Sequence, residues 1–241
     1  MKFRLIESLN EYIAVIHIDD EDGTWVRIDA PNPRVAVDFL MDEMKKEHPD
    51  ANSIRVDIDK EVRTWERDLP LDTPEQKYSS AATSINSSKL PAVFNLVDFE
   101  EGTINLDYGG GRFDNATTAL AERGVTNLIY DPFNRTKEHN DAVIRAVRDE
   151  GGADTITCSN VLNVIAEQEV RLSVIKNIKK LLKPNGVAYF TVYEGNGTGI
   201  GAESPKGYQL NKKTRDYVEE IAMVFPKEKI QPRGKVISAR Q

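Results

Sequence analysis

The sequence predicts an α/β protein, a parallel sheet covered by helices on both faces, with a small α+β module in front of it. Three observations carry this. From Thr103 to Tyr193, apolar runs of strand length alternate with stretches of helical periodicity, the order that lays parallel strands side by side under helices. One of these strands ends in an acid and runs into three glycines, Asp107-Tyr108-Gly109-Gly110-Gly111, a turn suited to the carboxyl end of a parallel strand, where ligands bind. A composition break near Leu69-Pro70-Leu71-Asp72-Thr73-Pro74 sets the front apart: residues 1–75 hold 10 basic against 19 acidic side chains, residues 76–202 hold 13 against 15, and residues 203–241 hold 9 against 5. The chain accordingly divides into an accessory module (1–68), a linker (69–78) and a sheet domain (79–241).

In the module, Tyr12 to Ile18 and Thr24 to Ile28 are β-branched runs flanking Asp19-Asp20-Glu21-Asp22-Gly23, a solvated hairpin tip rather than a calcium loop, because Ile18 stands where the first carboxylate ligand would be. Pro33 to Lys46 places Ala36, Leu40, Met44 and Val37, Met41 at helical spacing, with Asn32 as N-cap and Pro33 in the first turn. Ser53 to Ile58 alternates as a strand, which makes the module β-β-α-β. Residues 79–91 are small and polar and read as a loop. Strands then follow at Thr103 to Leu106, Asn127 to Tyr130, Asp154 to Cys158 and Val187 to Tyr193, with helices after Asp114, from Lys137 to Arg148 and from Glu169 to Leu182. In the last of these helices Val170, Val174, Ile178 and Leu181 form the sheet-facing stripe, and Pro184-Asn185-Gly186 stops it. Lys206, Lys212, Lys213 and Arg215 lead into a basic helical segment reaching Met223.

With 39% hydrophobic and 29% charged residues among 241, collagen-like and wholly disordered chains are excluded. The single cysteine, Cys158, permits no intramolecular disulfide and suits a reducing compartment. Neither a signal peptide nor a membrane-length apolar run stands out, so the expectation is a cytoplasmic protein with no membrane partner. The acidic front would repel phosphate and suits contact with a protein partner; nucleic acid, if it is a partner, would meet the basic C-terminal stretch. His17, His48 and His139 lack metal-ligand spacing, and no metal site is expected.

The chemistry concentrates at the glycine turn. Twenty residues after Gly111, at the end of the next strand, stands Asp131, where a carboxylate can accept hydrogen bonds from ribose hydroxyls. A nicotinamide dinucleotide is disfavoured because its fingerprint, counted from Gly109, meets Asp114 where the last glycine would fall and, counted from Gly110, meets Arg112 at the third position, and a P-loop is excluded because no Lys-Ser/Thr follows the glycines. Asp107 would repel a pyrophosphate yet could hold an ammonium group.

Together these segments resemble the class I S-adenosylmethionine-dependent methyltransferases. Asp107-Tyr108-Gly109-Gly110-Gly111 is similar to their D-x-G-x-G loop and Tyr130-Asp131 to their second-strand acid. Asp154 to Leu162 is similar to their fourth strand and the loop after it, and Leu182-Lys183-Pro184-Asn185-Gly186 to the turn into their fifth. Tyr130-Asp131-Pro132-Phe133 with Asn160 to Ile165 further resembles the methyltransferases associated with DNA phosphorothioation, as, weakly, does Ser84 to Pro91. The resemblance covers roughly residues 80–241 and implies a Rossmann-like sheet. Its usual third strand has little room here, since one helix's worth of chain separates Asn134 from Asp154.

It also implies S-adenosyl-L-methionine as cofactor, bound by Asp107, Tyr108, Gly109, Gly111, Asp131, Ser159 and Asn160, with Asn160 near the methyl group. Tyr193, followed by Glu194 at the end of the fifth strand, is a further catalytic candidate, and Asn163 is a cap or a polar contact. The methyl acceptor, nucleic acid or small molecule, stays open. The Asn/Asp-Pro-Pro-aromatic tetrapeptide of amino-methylating DNA enzymes is replaced by Cys158-Ser159-Asn160-Val161, and Cys158 lies at a strand end rather than in a nucleophile context. The alternative is a non-catalytic module of the same fold that binds partner proteins.

Overall fold

The structure is a computed structural model and describes residues 9–19, 21–51, 53–66, 71, 73–81, 89–205 and 207–241; most of the 84–91 stretch singled out above lies outside them. The chain forms two compact units, residues 1–71 and 72–241. Residues 77 and 78, expected in the linker, belong to the second.

In the first unit, β1 (Asn10–Ile18), β2 (Thr24–Ala30), β3 (Ser53–Ile58) and β4 (Glu61–Glu66) form an antiparallel sheet in the order β2-β1-β3-β4, with α1 (Pro33–Glu47) packed on it. Alternation sets the layers: Ala14, Ile16, Ile54, Val56 and Ile58 meet Ala36, Val37, Leu40 and Met41 of the helix in a buried core. As expected, the Asn32 side chain accepts from the Val35 N–H at 3.0 Å and caps α1. The module is β-β-α-β-β, one strand more than expected. Its last strand, Glu-Val-Arg-Thr-Trp-Glu, mixes charges into the alternation as edge strands do, and Asp59 at φ +52° turns the chain into it.

The second unit holds α2 (Val93–Leu96), β5 (Ile104–Tyr108), α3 (Asn115–Ala121), β6 (Thr126–Tyr130), α4 (Lys137–Asp149), β7 (Ala153–Ser159), α5 (Gln168–Leu181) and β8 (Leu182–Thr191). After these come a hairpin of β9 (Gly201–Ser204) and β10 (Gly207–Leu210), a 3-10 turn at Thr214–Tyr217, α6 (Val218–Ile221), β11 (Ile230–Arg233) and β12 (Val236–Arg240). The main sheet runs β11-β12-β8-β7-β5-β6, with β6, β5, β7 and β8 parallel and the last two strands antiparallel to their neighbours. From β5 the chain goes to β6 on one side and returns to β7 on the other. The reversal makes the carboxyl ends of β5 and β7 the switch point, the place where open α/β sheets bind ligands. Among the described residues nothing pairs with the far edge of β6, so the third strand is missing, as the short chain from Asn134 to Asp154 requires.

Three expectations are corrected. Helix α5 ends at Leu181 and buries Ile175 where Val174 was expected; Pro184-Asn185-Gly186 lies inside β8, with Asn185 at φ +68° and a register shift opposite Ala153 to Thr155. β8 itself stops at Thr191, two residues before Tyr193. The basic segment toward Met223 contains only a 3-10 turn and the four residues of α6, and the chain then adds two strands to the sheet. Those strands are too short to show a period in the sequence, and Pro232 sits on the outer one, where a missing N–H is tolerated.

Candidate functional site

Beyond β5 the backbone turns left-handed twice, at Gly109 (φ +79°) and Gly111 (φ +79°). A Cβ on Gly109 would lie 2.4 Å from Val161 Cγ2, and one on Gly110 would lie 2.4 Å from Asp107 Oδ2, so the loop after β7 and the acid at the end of β5 both press on backbone that only glycine can supply. Gly111 is gripped on both sides. Its N–H donates to Asp131 Oδ2 at 2.8 Å, and its carbonyl accepts from Arg135 Nε at 2.8 Å, while Arg135 Nη2 reaches Asp114 at 2.8 Å. The glycine loop and the acid of β6, separated by twenty residues, are thus joined directly.

Asp131 is buried, and its Oδ1 accepts from the Phe133 and Asn134 N–H groups at 2.9 Å each and from Asn134 Nδ2 at 3.2 Å. Its backbone is tied to the Asn140 side chain of α4 in both directions at 3.0 Å. It does not cap α4, a role that belongs to Thr136. Oδ2 carries one bond and keeps a lone pair for a ligand hydroxyl.

Asp107 is buried near the carboxyl end of β5. Its Oδ1 accepts from Thr157 Oγ1 at 3.0 Å, and burial, only partly offset by that bond, pushes its carboxyl up to about 7. Behind it a polar ladder crosses three strands: Asn105 Nδ2 donates to Asn127 Oδ1 (2.7 Å) and Thr157 Oγ1 (3.2 Å), and Asn105 Oδ1 accepts from Thr155 Oγ1 (2.9 Å). Its far end is tied to α3, where Asn127 Nδ2 donates to Thr117 Oγ1 at 3.1 Å, and this network fixes where the Asp107 carboxyl lies.

Tyr108 departs from expectation. Its ring is buried against Tyr130, centroids 4.9 Å apart, and its hydroxyl accepts from Asn177 Nδ2 of α5 at 3.3 Å. The side chain belongs to the core, which leaves only the backbone for the loop.

At the end of β7, Ser159 Oγ accepts from Thr191 Oγ1 at 3.0 Å, and the Asn160 N–H donates to the Thr191 carbonyl at 2.9 Å. Asn160 is exposed at φ +59°, an uncommon conformation for a residue with a side chain, and the next residue, Val161, packs against Gly109 of the glycine loop. Tyr193, beyond β8, is 62% exposed, with its carbonyl accepting from Gln209 Nε2 at 2.9 Å.

Glu194 is not a free base. The hydrogen bond from the Thr214 N–H, at 2.8 Å, holds it below the usual carboxylate range and makes it the acceptor for the start of the 3-10 turn. Asn163 is buried and donates to Gln209 Oε1 at 3.0 Å, so it ties the loop after β7 to β10. Cys158 is buried, and burial raises its thiol, which removes it as a nucleophile.

Sequence reasoning missed Thr157, Arg135 and Asn140, which hold Asp107, Gly111 and Asp131 in place. The available signal was polar residues inside apolar strands and at the start of a helix. In the basic stretch, Lys212 is bonded to the buried Glu220 at 2.7 Å, and Arg215 lies 3.6 Å from Asp216. No helix among the described residues is long and apolar enough to cross a membrane.

Among solved structures, the chain is similar to the 1,6-didemethyltoxoflavin N1-methyltransferase of Burkholderia thailandensis, solved with its substrate and S-adenosylhomocysteine (16% identity, 89% of this chain and 93% of that one, TM-score 0.45). It is also similar to a SAM-dependent methyltransferase of Methanosarcina mazei (15%, 64% and 98%, TM-score 0.42) and to PigF with bound SAH (17%, 63% and 54%, TM-score 0.42), so that it spans about half the length of PigF. Likeness at this level says nothing of the acceptor. No curated protein matches. Residues 85–238 match the profile of the family described as "Methyltransferase domain", a span that takes in the glycine loop, Asp131, Asn160 and Tyr193. On this match and this fold, the chain belongs to the class I S-adenosylmethionine-dependent methyltransferases, with S-adenosylmethionine as its cofactor.

Proposed function

We propose that the chain transfers a methyl group to a small-molecule acceptor that enters past Asn160 and Tyr193. The observation that carries the cofactor side is the bond between Asp131 and the Gly111 N–H, which sets a carboxylate and glycine backbone side by side at the switch point of the sheet. The residues present fit the cofactor. Gly109 to Gly111 offer backbone without Cβ atoms, Oδ2 of Asp131 keeps a lone pair for one ribose hydroxyl rather than two, and Asp107 offers a carboxyl for the ammonium group, directly or through water. Phe113 (46% exposed) and Phe133 (42% exposed), next to the glycine loop and Asp131, supply apolar surface suited to a purine.

When bound, S-adenosylmethionine supplies a methyl group already activated by a positively charged sulfur. The protein then has to align the acceptor and keep water out. Asn160 performs the first task with an amide that can donate to or accept from the acceptor, held by strained backbone rather than by a flexible loop. Tyr193, exposed two residues beyond β8, offers a hydroxyl. Glu194 takes no part, since Thr214 holds it.

A small acceptor is favoured over nucleic acid because the basic stretch is compensated from within: Lys212 faces Glu220, and Arg215 faces Asp216. The acidic first unit is read as contacting a basic protein surface rather than phosphate. Incubation with methyl-labelled S-adenosylmethionine and either a small-molecule extract or total nucleic acid tests the acceptor. Label in the small-molecule fraction, lost in Asn160→Ala, is the expected outcome; label in nucleic acid alone would overturn this acceptor class.

A further inference from the structure

Residues 77–81 precede the stretch that matches the family profile, yet they make bonds on both sides of the switch point. On one side, the Tyr78 ring stacks on Tyr208 of β10, with centroids 5.4 Å apart and planes 13° apart, and its hydroxyl donates to Glu203 of β9. The neighbouring Lys77 lies 3.8 Å from Glu203 through Nζ, and its N–H donates to Glu167, in the loop that follows β7, at 3.1 Å. On the other side, the Ala81 carbonyl accepts from Arg112 Nη2 at 3.5 Å, and Arg112 directly follows Gly111. A chain of five residues spans at most about 17 Å when extended. The segment therefore passes from the loops beyond β7 and β8 to the loop beyond β5, along the edge where Asn160 and the glycine loop stand.

We propose that Tyr78 is a positioning residue: clasped by Tyr208 and Glu203, it holds residues 77–81 across the cofactor site and slows release of the bound cofactor. The proposal rests on the assignment of the cofactor to Gly109–Gly111 and Asp131. The contacts suit a clasp that opens and closes. Lys77 and Glu203 are exposed, so their ion pair is weak, while the ring stack gives the closed form a defined geometry. A closed segment at this edge would also exclude water from the reacting groups, as closing elements do in other enzymes.

The test is the dissociation rate of S-adenosylhomocysteine from the full chain, measured by stopped-flow displacement, with the thermal transition recorded for each variant. Tyr78→Ala is expected to speed release by about tenfold or more with an unchanged transition, as for an opened lid. Tyr78→Phe, which keeps the stack, is expected to stay within about threefold of wild type. Tyr208→Ala, which removes the other ring of the stack, is expected to speed release as well, and it carries the test alone if Tyr78→Ala does not fold. Wild-type rates in both Tyr78→Ala and Tyr208→Ala would overturn the clasp. If the wild type binds no S-adenosylhomocysteine, the cofactor assignment itself falls and the clasp with it, a result seen before any variant is compared.

Discussion

Asp107 is a buried carboxyl poised near 7, and a cofactor ammonium beside it would favour its ionised form. Because its folded-state value is raised, its contribution to stability is full below the ordinary carboxylate range and is lost as pH rises through about 7. Binding of S-adenosylhomocysteine near pH 6.5 is therefore expected to release up to about three quarters of a proton. Calorimetry in buffers of different ionisation enthalpy measures this directly; Asp107→Asn should abolish the release, and an unchanged release in that variant would remove Asp107 from the site. That the glycine loop and Asp131 come together was legible in the sequence, because an acid and glycines at one strand end and a second acid at the next fall side by side in a parallel sheet. Tyr108 was not, because its place at the strand end does not reveal that α5 offers Asn177 to its hydroxyl. Thr157, Arg135 and Asn140 act on backbone or on another side chain across the fold, and such pairing leaves no local pattern.

At the scale of elements, Arg171 of α5 joins the helix to the segments beyond β7 and β10. Buried, it donates to both oxygens of Glu220, at 2.7 and 3.2 Å, and to the carbonyls of Ile165 and Ala166 at 2.9 and 2.8 Å. Burial alone would raise Glu220, but hydrogen bonds from Arg171 and Lys212 hold it below the usual range. Its contribution is thus present above the ordinary carboxylate range and is lost as pH falls. Arg171→Met leaves Glu220 and two carbonyls short of donors and is expected to cost about 3 kcal/mol, near the low end for a broken buried pair because Lys212 remains. Urea denaturation at pH 7.5 measures the loss; a change below about 0.5 kcal/mol would show that the pair holds nothing together. The helices and parallel strands were legible from periodicity and order. The β9–β10 hairpin, α6 and the last two strands were not, since runs of four or five residues are too short to carry a period and are held by partners distant in sequence.

At the scale of the whole molecule, the two units have separate cores, and the acidic excess belongs to the first. Residues 72–241 are expected to bind S-adenosylhomocysteine with a dissociation constant within about threefold of that of the full chain, as a domain with its own core would. Loss of binding by a folded 72–241 fragment would make the first unit part of the cofactor site. The break near Leu71 was legible because composition and turn residues change there; the fourth strand of the first unit was not, because charges mask its alternation. The central claim is that the glycine loop and Asp131 together hold the cofactor. Its most direct test is a titration of S-adenosylhomocysteine into the wild type and into Asp131→Asn, which keeps one acceptor for the Phe133 and Asn134 N–H groups but loses the charge and the second oxygen that faces Gly111. Saturable one-to-one binding, weakened about tenfold or more in the folded variant by loss of a charge-assisted bond, is the predicted result; no saturation in the wild type, or equal affinity in the two proteins, would contradict it.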